Sequence, residues 1–197
     1  NSGNQTMATQ KPQAKKQMSE KRLRNIAIWY CQRYLVSCNK LTDHLRKRLR
    51  RDVIDEQERD KFSELIPGIV SNLVELGYVS DKEAASARLR SALRAGYATQ
   101  TAITVASHAA LVDRETVETE LDNALAQALP EINVVDDDIQ QIGNEQVLLA
   151  LKRARRGPFR GTGQDKKSRR RDISWLQRRG YRVDEIYAAL EIDPTAD

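Results

Sequence analysis

Cysteine, histidine and aromatic residues are scarce in this chain of 197 residues, which has two cysteines, two histidines and 5% aromatics. Two cysteines are too few for the disulfide framework that supports small secreted domains. The apolar pattern places Cys31 and Cys38 on one helix, where a separation of about 10 Å would prevent a disulfide. We therefore expect two reduced, buried thiols and a cytoplasmic protein.

Long apolar runs and the usual catalytic motifs are also missing. No run approaches the roughly 18 apolar residues of a membrane span, and no apolar stretch of about 7–15 residues marks a secretory leader. Neither His44 nor His108 has a Cys or His at zinc-ligand spacing, and Gln164 stands where a phosphate-binding loop would need lysine. We predict no enzyme activity, no cofactor, no metal and no membrane partner.

Charge, by contrast, is abundant and unevenly distributed. Charged residues make up 31% of the chain, and the net charge is +5. Residues 152–182 contain thirteen Lys or Arg against two acids, whereas residues 113–145 contain ten acids and one arginine. This asymmetry predicts that the basic segment binds a polyanionic partner. The acidic segment is expected to avoid that partner.

The apolar residues recur with a helical period from Ser19 onwards, which predicts nine helices. Ser37 is expected to cap the second helix, and Ser80 with Glu83 has the spacing of a capping box at the start of the fourth. Pro67 is expected to start or kink the third helix. A single helix is expected to follow Asp113.

The nine helices fall into three groups that share a short phrase. The pattern GY-x-x-D occurs at 77–81 and again at 180–184, and Ala110 and Leu111 stand at the equivalent turn of the middle group. The prediction is an all-α fold of three tandem three-helix repeats that form an elongated, curved, solenoid-like body. A compact helical bundle is the alternative. The expected segments are a disordered basic tail (1–18) and repeats at 19–77, 78–130 and 131–197, the last with a Gly/Pro loop at 156–165.

Two basic clusters are the candidate binding surface. In the C-terminal cluster, the cations from Lys166 to Arg171 crowd the predicted start of a helix. Cations there oppose the helix macrodipole, so these residues do not stabilise the helix. The arginine fork binds phosphate oxygens bidentately. The predicted contacts are Arg46, Lys47, Arg50, Arg153, Arg155, Arg156, Lys166, Lys167, Arg169, Arg170, Arg171, Arg178 and Arg179. A solvated charged surface is the alternative, and Trp175 is expected to serve packing rather than base stacking.

Three segments resemble the RecX family of bacterial regulatory proteins. They are "YLVSCNKLTDHLRKRL" at 34–49, "VSNLVELGYVSDKEAASARL" at 70–89 and "WLQRRGYRVDEIYAAL" at 175–190. The second resembles the family pattern L-x-x-x-G-[YF]-[LIV]-x-D-x-x-x-A, and the third resembles its L-x-R-R-G-[FY] ending. The likeness extends in order from about Arg24 to Leu190.

The resemblance implies a specific function and partner. Members of the family have three tandem three-helix repeats, lie along the groove of RecA–DNA filaments and generally suppress strand exchange, ATP hydrolysis and co-protease activity. By this likeness we expect a monomeric, non-enzymatic modulator of RecA in homologous recombination, DNA repair and the SOS response. Its partners would be the RecA filament and DNA, single- or double-stranded, touched directly or through the filament. Arg178 and Arg179 would lie on the contact surface.

Two other functions stay open at this point. The predicted helix pair at 172–191 could belong to a stand-alone helix-turn-helix-like DNA-binding protein or transcription regulator. The repeats could instead form a scaffold for acidic proteins that binds no nucleic acid.

Overall fold

A computed structural model describes residues 17–132, 139–161 and 165–191, and these fold into helices with no strand among them. The all-α prediction is confirmed. Within the same residues, no helix is both long and apolar enough to cross a membrane. The helices are α1 (Glu20–Cys31), α2 (Cys38–Asp52), α3 (Glu56–Glu75), α4 (Asp81–Arg94), α5 (Thr99–Ala110), α6 (Arg114–Glu118), α7 (Leu121–Ala128), α8 (Ile139–Ala154), α9 (Lys166–Gln177) and α10 (Val183–Glu191), with a 3-10 turn at Gly157–Phe159.

Side-chain caps begin several of these helices. Ser37 accepts the backbone N–H of Lys40 at 3.1 Å, and Ser80 accepts that of Glu83 at 3.2 Å. Each bond satisfies a backbone donor that has no partner inside the helix. Both caps are at the residues expected from the sequence, but at Ser80 and Glu83 only this half of the predicted capping box forms. Asp55 caps α3 in the same way.

The helix boundaries differ from expectation in two places. Pro67 does not start a helix, because α3 begins at the Asp55 cap and runs through the proline, which leaves one backbone N–H donor missing. The kink that was expected as the alternative stays a prediction. The single helix expected after Asp113 is divided into α6 and α7. At the division the N–H of Glu120 bonds to the carbonyl of Val117 at 3.1 Å, which tightens the chain into a 3-10-type turn.

The cysteines also differ from expectation. Cys31 ends α1 and Cys38 begins α2, so the two lie on different helices, and both are partly rather than fully buried. Burial, helped by a hydrogen bond with Asp81, raises the pKa of the Cys38 thiol to about 11. Cys38 is therefore a protonated, weakly nucleophilic thiol at neutral pH.

Buried apolar side chains form three clusters. The first cluster joins α1, α2 and α3, the second joins α4 to α7, and the third joins α8, α9 and α10. Met18 is 7% exposed within the first cluster, so the residue belongs to the folded part rather than to the predicted tail, of which residues 1–16 lie outside the described chain. The repeat arrangement and the solenoid shape stay predictions.

Polar bonds between helix ends join the first and second clusters. The Ser37 hydroxyl, which caps α2, also donates to the carbonyl of Ala110 at the end of α5. Asn39 donates its side-chain N–H to the carbonyl of Leu111 at 3.0 Å. Asp81, the first residue of α4, accepts the N–H of Cys38 at 2.6 Å. The start of α2 is thus held by groups from both α4 and α5.

The Gly-Tyr pair of each GY-x-x-D phrase forms a helix C-terminal turn, and a third Gly-Tyr pair, Gly96–Tyr97, forms the same turn without the aspartate. Gly77, Gly96 and Gly180 have φ values of 74°, 82° and 83°, in the left-handed region. In each turn the next residue donates its N–H back to the helix, as Tyr78 does to the carbonyl of Leu73 at 2.8 Å. This is the Schellman arrangement, in which glycine avoids the steric cost of positive φ.

Two further turns of this kind have no glycine. Leu111 (φ 56°) and Arg155 (φ 50°) adopt the left-handed conformation. The following residue, Val112, donates its N–H to the carbonyl of Ser107 at 3.2 Å, as the tyrosines do in the glycine turns. The middle equivalent of Gly-Tyr is therefore Leu111–Val112, one residue later than the sequence pattern indicated.

Replacing Leu111 by glycine should raise the free energy of unfolding. A non-glycine residue in the left-handed region costs about 1–2 kcal/mol, and the greater chain entropy of glycine cancels about half of the relief, leaving about 0.5–1 kcal/mol. Gly77→Ala is the opposite change, because an added Cβ there has no atom within 4 Å and only the conformational cost applies. Urea denaturation measures both. Shifts in the same direction would contradict this account of the turns.

Candidate nucleic-acid interface

The longest run of predicted contacts lies on α9, whose start is stabilised by an aspartate. Asp165 accepts the N–H of Ser168 at 2.6 Å, while the Ser168 hydroxyl accepts the N–H of Asp165 at 3.0 Å. This reciprocal cap places a carboxylate at the helix start, where it offsets the unfavourable cations that follow. The hydrogen bonds from Ser168 lower the pKa of Asp165.

The cations on α9 and its flanks separate into exposed and engaged groups. Arg169 is engaged, since it reaches Glu191 at 3.5 Å. The exposed group has no ion pair with any acid in the described ranges and consists of Arg155, Lys166, Lys167, Arg170, Arg171 and Arg178.

Several of these residues surround one concave surface, which we call the arginine pocket. It has a volume of about 360 Å³ and opens to solvent. The lining residues are Arg156, Arg170, Arg171, Ser174, Trp175 and Arg178. Four guanidinium groups and no carboxylate line this surface, so its potential is strongly positive.

Asp172 holds one wall of the arginine pocket from beneath. Its side chain is fully buried and accepts hydrogen bonds from Arg156 at 2.8 Å, from Arg160 at 3.0 Å and from the N–H of Gly157 at 2.9 Å. Burial alone would raise the pKa of Asp172, but the bonds from Arg156, Gly157 and Arg160 outweigh it and lower the pKa below its ordinary value. Sequence reasoning missed this residue; the signal was one acid within a run of arginines.

Arg179 belongs to the joint between the second and third clusters. Its guanidinium carbon lies 3.8 Å from the centre of the Trp175 ring and 5.4 Å from that of Tyr97. Its Nε–H donates to the carbonyl of Ala95, the C-cap residue that follows α4, at 3.2 Å. A cation at a helix C-terminus is favourable because backbone carbonyls there lack partners.

The backbone around Arg179 closes the same joint. The Arg179 carbonyl accepts the N–H of Ala98 at 2.9 Å. A Cβ at Gly180 would overlap the side chain of Thr101, and a Cβ at Gly96 would lie 3.1 Å from Ala150. The two glycines therefore permit α9 and α8 to approach the α4–α5 connection. The neighbours Arg178 and Arg179 have different surroundings, the first in the open pocket and the second in the joint.

The remaining predicted contacts lie elsewhere. Arg153 pairs with Glu131 at 3.1 Å, so the acidic and basic segments are in contact at this point. On α2, Arg46 and Arg50 are exposed and have no acidic partner among the described residues, whereas Lys47 pairs with Asp43 at 2.8 Å. Since α2 belongs to the first cluster and α9 to the third, the structure does not bring these two groups into one site.

The aromatic residues divide similarly. Trp175 is partly buried against the third cluster, with Arg179 over its ring and Arg156 at 5.0 Å from the ring centre. Tyr181 is 6% exposed and donates to the carbonyl of Gln146 at 3.3 Å, whereas Tyr78 is 43% exposed. Of the two tyrosines in the GY-x-x-D phrases, only Tyr181 is buried.

Asp172→Asn should lower the free energy of unfolding by about 2–3 kcal/mol at pH 7, somewhat less than the 3–5 kcal/mol typical of a broken buried pair, because both arginines reach solvent. The folded-state pKa lies below the ordinary value of 3.8, so the stabilisation is present above about pH 4 and disappears as pH falls through the folded pKa. Urea denaturation at pH 3–7 should therefore show the two proteins converging in acid. A difference independent of pH would contradict this role.

Arg179→Ala should lower the free energy of unfolding by about 2 kcal/mol, from the lost contact with Trp175 and the lost charged hydrogen bond. Arg178→Ala, one residue earlier and exposed, should change it by less than about 0.5 kcal/mol. Thermal and urea unfolding of the two variants compare the joint with the open pocket directly. Equal losses would mean that Arg179 has no special part in the joint.

None of the family models, curated proteins or solved structures compared with this chain matches it. The likeness to the RecX family therefore depends on the three sequence motifs alone. The arginine pocket and the joint behind it are features of this chain's own residues. They support a function through the chemistry they offer to an anionic partner.

Proposed function

We propose that this protein is a non-enzymatic regulator that binds RecA–DNA filaments and modulates, with inhibition as the expected sign, recombinase, ATPase and co-protease activity. The observation that carries the proposal is the open row of cations on α9 around the arginine pocket. The three motifs that resemble the RecX family give the partner its identity. As a regulator of a filament assembled on DNA, the protein would act in the cytoplasm.

The electrostatic support comes from cations that have no acid to neutralise them. Arg170, Arg171 and Arg178 are exposed on the pocket side of α9 without an ion pair to any described residue. Surface arginines that are free of internal partners remain available to phosphate oxygens or to carboxylates on a protein. A filament of protein wound on DNA offers both.

The stand-alone helix-turn-helix alternative is less well supported. In that motif the second helix enters the major groove, with base contacts near its N-terminus. Here the second helix of the pair, α10, begins with Asp184 and Glu185 in its first turn. Carboxylates at that position would face phosphates and bases unfavourably, and the cations lie on α9 instead. The charge distribution favours contact through α9 over insertion of α10.

The decisive experiment is co-sedimentation with preformed RecA–DNA filaments. We expect the wild-type protein to pellet with filaments and Arg178→Glu to remain largely in the supernatant, with unchanged helicity by circular dichroism. Lys61→Glu is the matched control, because Lys61 is exposed on α3, does not line the arginine pocket, and undergoes the same reversal of charge. Binding should fall steeply between 50 and 200 mM salt if several phosphates are contacted, by roughly tenfold or more.

An activity measurement separates binding from regulation. The DNA-dependent ATPase of RecA should fall when the wild-type protein is added and should fall less with Arg178→Glu. No change in ATPase at a concentration that saturates filament binding would count against the regulatory role. No pelleting with filaments at low salt would count against the RecA partner itself.

A further inference from the structure

We propose that the arginine pocket is a phosphate-binding site in which Arg156 is a fixed donor and Arg170, Arg171 and Arg178 close around the anion. The ligand class is a row of phosphate groups, taken here to be the backbone of single-stranded DNA. In naming that source the inference rests on the proposed function. The chemistry of the pocket would equally accept a free polyphosphate, and the experiment below distinguishes the two.

The first support is the fixed orientation of Arg156. Its Nη1 is bonded to the fully buried carboxylate of Asp172 at 2.8 Å, and its guanidinium carbon lies 5.0 Å from the centre of the Trp175 ring. A guanidinium has five N–H donors, so this bond leaves others available to a ligand. Because the side chain is already ordered, an anion that binds here incurs less of the entropic cost of fixing a long side chain.

The second support is the spacing of the cations. Arg170, Ser174 and Arg178 are four residues apart on α9, so they lie on one side of the helix. Arg170 and Arg178 are separated by about 12 Å along the axis at 1.5 Å per residue. A row of this length suits successive phosphates of a chain better than it suits a single phosphate ion. The Ser174 hydroxyl between them adds a neutral donor.

The third support is that the Trp175 ring is already covered by arginines and is not free to stack on a base. Arg179 lies 3.8 Å over the Trp175 ring, and Arg156 also lies over it. A nucleobase that stacked on this indole would compete with Arg156, which Asp172 holds, or with Arg179, which bonds to Ala95. Trp175 therefore supports two guanidinium groups rather than a base. Recognition through phosphates without stacked bases should be insensitive to sequence.

Fluorescence of Trp175 tests the proposal directly. The chain has two tryptophans, so Trp29→Phe leaves Trp175 as the reporter. This protein is titrated with oligothymidylate, with sodium tripolyphosphate and with sodium chloride at matched ionic strength. We expect a saturable change with the phosphates that chloride does not reproduce. Arg171→Gln with Arg178→Gln should weaken binding at least about tenfold, the loss expected for charge-assisted hydrogen bonds.

The control is Lys21→Gln with Lys61→Gln, which removes two exposed charges from the first cluster and should leave phosphate affinity within about twofold. Tighter binding of the oligonucleotide supports the DNA backbone as the source. If tripolyphosphate binds more tightly than the oligonucleotide, the result supports a phosphate-binding site whose ligand is a free polyphosphate. A response no larger than that to chloride, or an unchanged affinity in the double arginine variant, would overturn the proposal.

Co-sedimentation of the same double variants distinguishes this proposal from the proposed function. If the wild type binds phosphate but does not pellet with RecA filaments, the result supports the phosphate-binding site and contradicts the proposal that RecA filaments are the partner. If the Arg171→Gln, Arg178→Gln variant loses phosphate binding yet still pellets fully, the protein binds RecA filaments through another surface, and the pocket is not the part that contacts DNA in the filament.

Discussion

The buried carboxylate of Asp172 is the constraint on which the C-terminal third of the structure depends. It bonds to Arg156, Arg160 and the backbone of Gly157, and so connects α9 to the turn that follows α8. A buried carboxylate without partners would be strongly unfavourable, so these bonds specify one arrangement of the two segments. The same bonds hold Arg156 at the edge of an open surface. One interaction therefore contributes both to the packing of the third cluster and to the positive potential outside it.

Helix ends supply polar bonds that join the clusters to one another. At the first joint, Ser37, Asn39 and Asp81 bond to backbone groups across the boundary. At the second, Arg179 bonds to Ala95 and lies between aromatic rings, while Gly180 permits close approach to Thr101. Polar groups that helices leave unpaired at their ends are thus satisfied by neighbours. Because of the second joint, Arg178 and Arg179 have different surroundings although they are adjacent in sequence.

The all-α class, the caps at Ser37 and Ser80 and the start of α9 followed from local patterns, because helical period and capping depend on residues close in sequence. Three features did not follow. The division at Glu120 and the left-handed Leu111 arise where tertiary packing overrides propensity. The pairing of Arg153 with Glu131, and of Arg156 with Asp172, joins residues distant in sequence. Composition therefore located the basic surface, but could not tell which of its cations were already engaged.

Trp175 contacts both the joint between the second and third clusters and the arginine pocket. It lies against Arg179 in the joint, and it lines the arginine pocket beside Arg156 and Arg178. A shift of the second cluster relative to the third would move this indole and, with it, the outline of the positive surface. If the arginine pocket binds the phosphates proposed above, a partner that shifts the second cluster relative to the third would thereby change its own affinity for the pocket.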